Sequence, residues 1–254
     1  MTDVVVTVPA RDEAATVGRA VVDLRRALHA ARALGRVRHA TVEVVAHRCH
    51  DATATVAADA LGPDGRVTLD DASWSVGQVR DLGVRRGLDR LGSPPTDTWV
   101  LSTDADTRVG VRWVVDVLAH ARRSHAVGVV GLAPLDRWRG SPAGRAAYDR
   151  LLASGLRAGD TLHQHDHVYG ANLAVRADAY LAVGGFPAVL HGEDQALVDR
   201  LAQAGHRLLR TCEITVRTSG RLVARAPGGL ADRLTSVDSP YRTPAPRVGK
   251  PRAG

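Results

Sequence analysis

The sequence contains very little cysteine, phenylalanine or methionine. Among its 254 residues there are two cysteines, one phenylalanine and one methionine. The two thiols, Cys49 and Cys212, exclude a disulfide scaffold and a four-cysteine zinc site, and they fit a reducing cytoplasm. No stretch approaches the length of about 18 apolar residues that marks a membrane helix, and the N-terminus lacks a secretion signal. We therefore expect a soluble, cytoplasmic protein.

Lysine is also nearly absent. Lys250 is the only one, so the formal net charge of +7 comes almost wholly from arginine. The arginines are spread along the chain without interleaved aromatic residues, which favours a solvated surface over a nucleic-acid-binding stripe. We expect no nucleic-acid partner, and peripheral contact with a membrane stays open. The hydrophobic content of 44% is enough for the core of one large domain.

Short β-branched runs alternate with amphipathic segments in the first half of the chain. The pattern predicts strands at 4–8, 42–46, 66–69 and 99–103, and helices at 14–34, 53–61 and 77–91. This alternation predicts an α/β fold with a mostly parallel central sheet flanked by helices. Ligands bind beyond the carboxyl ends of the strands in such sheets, so the loops after the first, second and fourth strands are where chemistry is expected.

The second half of the chain has a less regular pattern. It predicts helices at 111–123, 141–156 and 193–204, a strand at 126–131 and an extended segment at 168–176. Proline, glycine and arginine accumulate towards the end without apolar periodicity. We therefore expect one domain over residues 1–235 and a flexible basic tail over residues 236–254.

Two carboxylates, Asp104 and Asp106, follow the predicted fourth strand in the sequence WVLSTDAD. Hard oxygen ligands at the end of a strand suit Mg²⁺ or Mn²⁺, which neutralise a diphosphate. About one or two such pairs are expected by chance in a chain of this composition. The position directly after an apolar strand is what gives this pair its weight.

Three segments occur in the order found in glycosyltransferase family 2, which the chain resembles from Val4 to Leu234. They are VVVTVPARDEA at the start, DAD after the fourth strand and GED before a helix. The resemblance implies a GT-A fold with a Rossmann-like nucleotide-binding half, 1–107, and an acceptor-binding half, 108–235. It also implies a hexosyltransferase that takes a sugar from a UDP, GDP or dTDP donor, with Mn²⁺ or Mg²⁺ held by Asp104 and Asp106.

The same resemblance suggests which residues bind the donor. They are Pro9, Arg11, Glu13, Asp51, Arg80 and Asp104. Asp51 is expected to contact the nucleobase, and its alternative role is to help cap the following helix. Arg80 is expected to face the diphosphate, and its alternative is an ordinary surface arginine on a helix. Arg221 and Arg225 lie in a Gly-rich segment that either closes over the donor or is a plain surface loop.

Glu193 and Asp194 begin a predicted helix and are the expected catalytic residues. In inverting members of the family the matching aspartate deprotonates the acceptor hydroxyl, which assigns that role to Asp194. The alternative is a helix cap with a favourable dipole interaction. Asn172 and His191 are expected on the acceptor side, although Asn172 could equally satisfy backbone groups in an irregular strand.

Three alternating histidines, His163, His165 and His167, would share one side of an extended segment. They could form a second metal site or line a polar acceptor cleft.

Two other functions remain in view. A sugar-phosphate nucleotidyltransferase shares the strand order and metal chemistry, but it needs a Gly-rich loop after the first strand, and PARDEA has no glycine. A catalytically silent nucleotide-sugar-binding protein of the same fold would keep the binding residues without turnover.

Overall fold

A seven-stranded sheet forms the centre of the protein. The computed structural model describes residues 1–157, 164–225 and 229–241. The strands are β1 (Thr2–Ala10), β2 (Val37–His47), β3 (Gly65–Asp70), β4 (Thr98–Ser102), β5 (Gly128–Leu132), β6 (Leu135–Trp138), β7 (Leu156–Arg157), β8 (Gln164–His165), β9 (Leu173–Arg176), β10 (Leu208–Thr215) and β11 (Thr218–Gly220). The central sheet has the order β10-β5-β9-β4-β1-β2-β3, and β6 with β11 and β7 with β8 form two small separate sheets.

All neighbours in the central sheet are parallel except β9, which is antiparallel to β4 and β5. The predicted mostly parallel sheet is therefore confirmed. Strand β1 lies in the interior, where Val5 is opposite Thr41 of β2 and Val100 of β4. Its valines are fully buried, as expected for a parallel strand covered on both faces.

Helices cover both faces of the sheet. They are α1 (Val17–Ala33), α2 (Thr53–Leu61), α3 (Val76–Leu91), α4 (Trp113–Ser124), α5 (Pro142–Ser154), α6 (Ala177–Ala182), α7 (Glu193–Gln203) and α8 (Leu230–Asp238). In α1, Val17, Val21, Leu24 and Leu28 recur every three or four residues and are all buried, so one stripe of the helix packs on the sheet. No helix in the described part of the chain combines the length and hydrophobicity needed to cross a membrane.

Helix α3 lies unusually close to its neighbours because of its glycines. A Cβ on Gly83 would lie 2.4 Å from Thr7 Oγ1 of β1, and one on Gly77 would lie 2.3 Å from the carbonyl oxygen of Pro187. The helix begins with a capping box in which Ser75 and Gln78 bond each other's backbone N–H groups. The close approach on two sides places the N-terminal half of α3, which includes Arg80, beside the carboxyl-terminal parts of β1 and β4.

The folded region extends beyond the boundary expected at residue 235. Helix α8 continues to Asp238, whose buried side chain accepts hydrogen bonds from the Ser141 N–H at 2.8 Å and the Ser141 hydroxyl at 2.7 Å. Assigning residues 236–241 to a flexible tail was therefore wrong, since this long-range contact with the start of α5 leaves no trace in local composition. Residues 242–254 lie outside the described residues.

The substitution Gly83→Ala should destabilise the fold, although alanine is the better helix former. The added methyl group would overlap Thr7 Oγ1, and overpacking of this kind costs about 1–3 kcal/mol, more than the gain of about 1 kcal/mol in helix propensity. Urea unfolding followed by circular dichroism measures the change. Arg86→Ala, on the exposed side of the same helix, is the control and should be nearly neutral. Equal stability of the two variants would contradict the close packing.

Candidate active site

Acidic side chains from three parts of the chain meet at the carboxyl ends of β1 and β4. Glu13 belongs to the loop after β1, and Asp104 and Asp106 follow β4. Glu193 and Asp194 form the first turn of α7. The loops after β1 and β4 meet at one edge, as expected from the topology of a parallel sheet, and the structure adds the start of α7 to this edge.

Arg80 of α3 links the two carboxylate groups. Its guanidinium is 5% exposed, with Nη2 at 2.6 Å from Asp104 Oδ1 and Nε at 3.2 Å from Glu193 Oε1. Nη1 donates to the Ser102 hydroxyl at 2.9 Å. The two ion pairs raise the pKa of Arg80 against the opposing effect of burial, so the group stays charged. The side chain thus holds the loop after β4 against the start of α7.

Arg221 occupies the other side of the site. One nitrogen, Nη1, lies 2.6 Å from Glu13 Oε1 and 2.7 Å from Asp106 Oδ2. Arg225 forms a second ion pair with Glu13. Thr16 also donates its hydroxyl proton to Glu13 Oε2 at 2.6 Å. Glu13 and Asp106 are therefore neutralised by arginines from the C-terminal part of the domain.

Asp106 has the most perturbed environment of the two aspartates after β4. Burial raises its pKa to about 7, with Arg221 acting in the opposite direction. The nearby carboxylates of Asp104 and Glu13 raise it further. The pKa of Asp106 is thus governed first by burial, and then by the balance between Arg221 and the two neighbouring carboxylates.

The same pair retains oxygen atoms that could bind a divalent cation. In the described part of the chain, neither Asp104 Oδ2 nor Asp106 Oδ1 accepts a hydrogen bond from another side chain. Carboxylate oxygens separated by one residue are suitable hard ligands for Mn²⁺ or Mg²⁺. The donor set of these two residues thus fits the expected metal.

Asp194 sits at the start of α7 with both oxygens engaged. Oδ2 accepts from the Gly170 N–H at 2.8 Å, and Oδ1 accepts from the Gln195 N–H at 2.8 Å. Burial is the largest effect and raises the pKa of Asp194, with Glu193 contributing in the same direction. The helix terminus and backbone donors favour the ionised form, as expected from the sequence, but burial outweighs them.

Solved structures of several glycosyltransferases share this architecture. A mannosyltransferase from Pyrobaculum calidifontis, in complex with GDP-Man and Mn²⁺, aligns with a TM-score of 0.60 at 15% identity over 87% of this chain. TarS residues 1–349 from S. aureus, in complex with UDP-GlcNAc, align with a TM-score of 0.62 at 14% identity over 93% of this chain. GalNAc-T7 with UDP, GalNAc and Mn²⁺ aligns with a TM-score of 0.58 at 13% identity over 93%. The chain has the GT-A fold.

The likeness is structural and does not extend to the sequence families. No protein-family model and no curated protein matches the sequence. The chain spans 57% of the mannosyltransferase, 64% of TarS 1–349 and 48% of GalNAc-T7. The GT-A architecture expected from the three motifs is thus confirmed, and membership of family 2 stays a prediction.

In this GT-A fold the loops after β1 and β2 contact each other and form one polar wall of the site, which includes Asp12 and Asp51. Asp51 accepts from the Ala14 N–H at 3.1 Å and the Thr53 N–H at 2.9 Å, so it supports the start of α2 while remaining exposed. Asp12 has a left-handed φ of 52° and accepts from the His50 N–H at 2.7 Å. Pro9 and Arg11 are both half-buried beside these residues. Contact of this wall with a nucleobase stays a prediction.

The predicted acceptor-side residues have different environments. Asn172 is buried, with Oδ1 accepting from the Trp113 indole and Nδ2 donating to the carbonyl oxygens of Leu132 and Ile214. Both the oxygen and the nitrogen of its amide therefore bond to groups of the protein itself. Of the two expected roles, acceptor contact and satisfying backbone groups, this geometry matches the second. His191 is exposed next to α7. It therefore remains open to a ligand.

The two described histidines of the alternating set, His165 and His167, form hydrogen bonds within the protein. His165 Nε2 lies 3.1 Å from the Val130 carbonyl oxygen, and His167 Nε2 lies 2.9 Å from that of Leu152. The two rings stack at 6.1 Å between centroids. His163 lies outside the described residues. The geometry of His165 and His167 favours a structural role over the suggested second metal site.

The sequence did not predict the ion pair of Arg221 with Asp106, nor the nearly complete burial of the Arg80 side chain. Arg80 was expected to project towards a diphosphate, and the structure instead surrounds it with protein partners. The glycine spacing of α3 was the available signal for its burial, because glycine at both 77 and 83 draws the helix against its neighbours. The sequence carries no comparable signal for the ion pairs of Arg221.

Replacing Arg80 by methionine should destabilise the protein by about 3 kcal/mol or more, because Glu193 and Asp104 would lose a buried counter-charge. Arg85→Met is the control on the same helix. It breaks an exposed pair with Asp81 and should cost less than about 1 kcal/mol. Denaturant unfolding gives both values. A stable Arg80→Met protein that only loses donor affinity would instead support the direct diphosphate contact.

Proposed function

We propose that the protein is a metal-dependent, inverting glycosyltransferase that moves a sugar from a nucleotide-diphosphate donor to an acceptor hydroxyl. The observation that carries this proposal is the ion-pair bridge through Arg80, which places the Asp104 side of the site next to the start of α7. A donor lying on the β4 side would then have its sugar directed towards Asp194. Such an arrangement suits a single displacement without a covalent enzyme intermediate.

The donor would lie along the loops after β1, β2 and β4. We propose that Asp51, Pro9 and Arg11 flank the nucleobase and ribose, with Glu13 deeper in the site. Donors of the UDP, GDP or dTDP type are candidates, since the similar structures include complexes with GDP-Man and UDP-GlcNAc. Transfer of a hexose and a cytoplasmic location also belong to this proposal.

Asp104 and Asp106 would hold Mn²⁺ or Mg²⁺. The cation would neutralise the diphosphate and stabilise the departing nucleotide. The choice of a divalent metal is supported by the two aspartates, each with one oxygen that no other described side chain contacts, and by the Mn²⁺ complexes among the similar structures. Arg80 then acts beneath the site, where it fixes the orientation of Asp104.

Asp194 would accept the proton from the acceptor hydroxyl. Its two backbone hydrogen bonds orient the carboxylate, and the raised pKa makes it a stronger base than an ordinary aspartate. Glu193 is tied to Arg80 and so positions this turn of the helix. His191, exposed two residues earlier, is a candidate for acceptor contact.

Two rival functions differ in what they do to the donor. A silent nucleotide-sugar-binding protein would bind the donor without consuming it. A nucleotidyltransferase would join a sugar phosphate to a nucleoside triphosphate. Slow hydrolysis of a nucleotide sugar in the presence of Mn²⁺, with no acceptor added, would favour the glycosyltransferase over both.

Removal of divalent metal should abolish turnover. Charge stabilisation by a bound metal is worth several kcal/mol, so excess EDTA should lower the rate of donor hydrolysis by about a hundredfold or more, and Mn²⁺ should restore it. The measurement is release of nucleoside diphosphate from UDP and GDP sugars. Unchanged hydrolysis in EDTA would refute the metal role while leaving the transferase assignment intact.

Asp194→Asn should lower transfer by about a hundredfold to ten-thousandfold at saturating donor, with donor affinity within a few-fold of wild type. Asparagine keeps the shape of the side chain and loses the proton acceptor. Asp199→Asn, on the exposed side of α7, is the matched control and should retain wild-type activity. Near wild-type transfer by Asp194→Asn would make this residue structural and direct the search to Glu193 and His191.

The wild-type rate should depend on pH through Asp194. The carboxylate must be ionised to accept a proton, and its pKa is raised by burial. The rate should therefore fall on acidification at a pH above the ordinary aspartate range of about 4. A pH profile of transfer locates this acid limb, which should be absent from the residual activity of Asp194→Asn. An acid limb that persists in the variant would assign the titration to another group.

A further inference from the structure

Arg221 forms an ion pair with Asp106, one of the two carboxylates that are proposed to bind the metal. Its Nη1 atom lies 2.7 Å from Asp106 Oδ2 and 2.6 Å from Glu13 Oε1, so one cationic nitrogen bridges two acidic side chains. Asp106 is 10% exposed and Glu13 is 5% exposed. A divalent cation at Asp106 would therefore be placed close to a guanidinium, and the two positive charges would repel each other.

The backbone next to Arg221 is firmly held. Arg108 and Arg217 exchange two backbone hydrogen bonds at 2.7 and 2.9 Å, and the hydroxyls of Thr107 and Thr218 bond at 3.0 Å. Gly220 packs against β6 so closely that a Cβ would lie 1.8 Å from the Arg137 carbonyl oxygen. Because the preceding strand is fixed, release of Asp106 requires movement of the Arg221 side chain rather than of the whole segment.

We propose that Arg221 competes with the divalent cation for Asp106 in the donor-free protein and exchanges this carboxylate for the diphosphate when the donor arrives. The inference rests on the proposed function. A diphosphate offers a guanidinium several charged oxygens, so the exchange replaces one charge-assisted contact by others. The diphosphate draws Arg221 away from Asp106 and so frees the metal site, and a bound cation likewise frees Arg221 for the diphosphate. Metal and nucleotide therefore increase each other's affinity, and this coupling is reciprocal.

Arg225 provides a control from the same segment. It pairs with Glu13, and in the described part of the chain it forms no ion pair with Asp106. Its side chain is 32% exposed, compared with 26% for Arg221, and both arginines contact Glu13, so their main difference is the additional ion pair of Arg221 with Asp106. Removal of Arg225 should therefore affect cation binding at Asp106 much less than removal of Arg221.

The test is a titration with Mn²⁺ in which the electron paramagnetic resonance signal reports free metal. Without nucleotide, Arg221→Ala should bind Mn²⁺ at least about tenfold more tightly than wild type, within the usual range of coupling between sites. Arg225→Ala should stay within about threefold of wild type. With UDP or GDP added, wild type should gain Mn²⁺ affinity, and this gain should shrink in Arg221→Ala. Arg221→Gln, which keeps much of the side-chain volume, should behave in the same direction.

The outcomes separate this inference from the function on which it rests. Equal Mn²⁺ affinity of wild type, Arg221→Ala and Arg221→Gln without nucleotide would overturn the competition and leave metal dependence standing. Absence of Mn²⁺ binding in every protein, while calorimetry still detects UDP or GDP binding, would overturn the metal role and the competition together. An equal tightening in Arg225→Ala would show a general charge effect and would also overturn the assignment to Arg221.

Discussion

The guanidinium of Arg80 joins parts of the chain that are far apart in sequence, and the geometry of the site depends on it. It bonds Asp104 after β4 and Glu193 at the start of α7 while being almost fully buried. A charge in such a place is tolerated only because its partners and hydrogen bonds replace water. The glycines of α3 permit this position by letting the helix approach β1 and the segment before α7. The close packing of α3 and the ion pairs of Arg80 therefore depend on each other.

Arg221 and Arg225, with Glu13 and Asp106, form a second group of ion pairs, and its arginines are more exposed than Arg80. Arg221 and Arg225 are about a quarter to a third exposed, whereas Arg80 is 5% exposed. Their partners Glu13 and Asp106 are only 5% and 10% exposed, so the arginine end of each pair is the part that water or a ligand can reach. The site therefore combines a buried, permanent pair that orients carboxylates with surface-accessible arginines that can follow the charge of a ligand. This combination suits the binding and release of a diphosphate.

The sequence predicted the first half of the fold better than the second for a physical reason. Strands β1 to β4 contain apolar, largely β-branched runs and are separated by amphipathic helices, and α2 was predicted with its observed bounds, 53–61. In the second half, β10 is stabilised by pairing with β5 and α8 by the contact of Asp238 with Ser141. Such elements depend on distant partners more than on local periodicity. Asn172 illustrates the same limit, because its amide bonds to carbonyl groups of two separate strands.

The sequence by itself determined the α/β class, the positions of the first four strands along the chain and the placement of acidic residues at strand ends and at the start of a helix. These features follow from hydrophobic periodicity and from the rule that parallel strands share one carboxyl edge. Only the tertiary structure decided which charges pair. Arg80 and Arg221 are both arginines near glycines, yet the side chain of Arg80 is 5% exposed and that of Arg221 is 26% exposed. Burial and partner choice depend on contacts between residues 22 to 208 positions apart, and no local pattern encodes them.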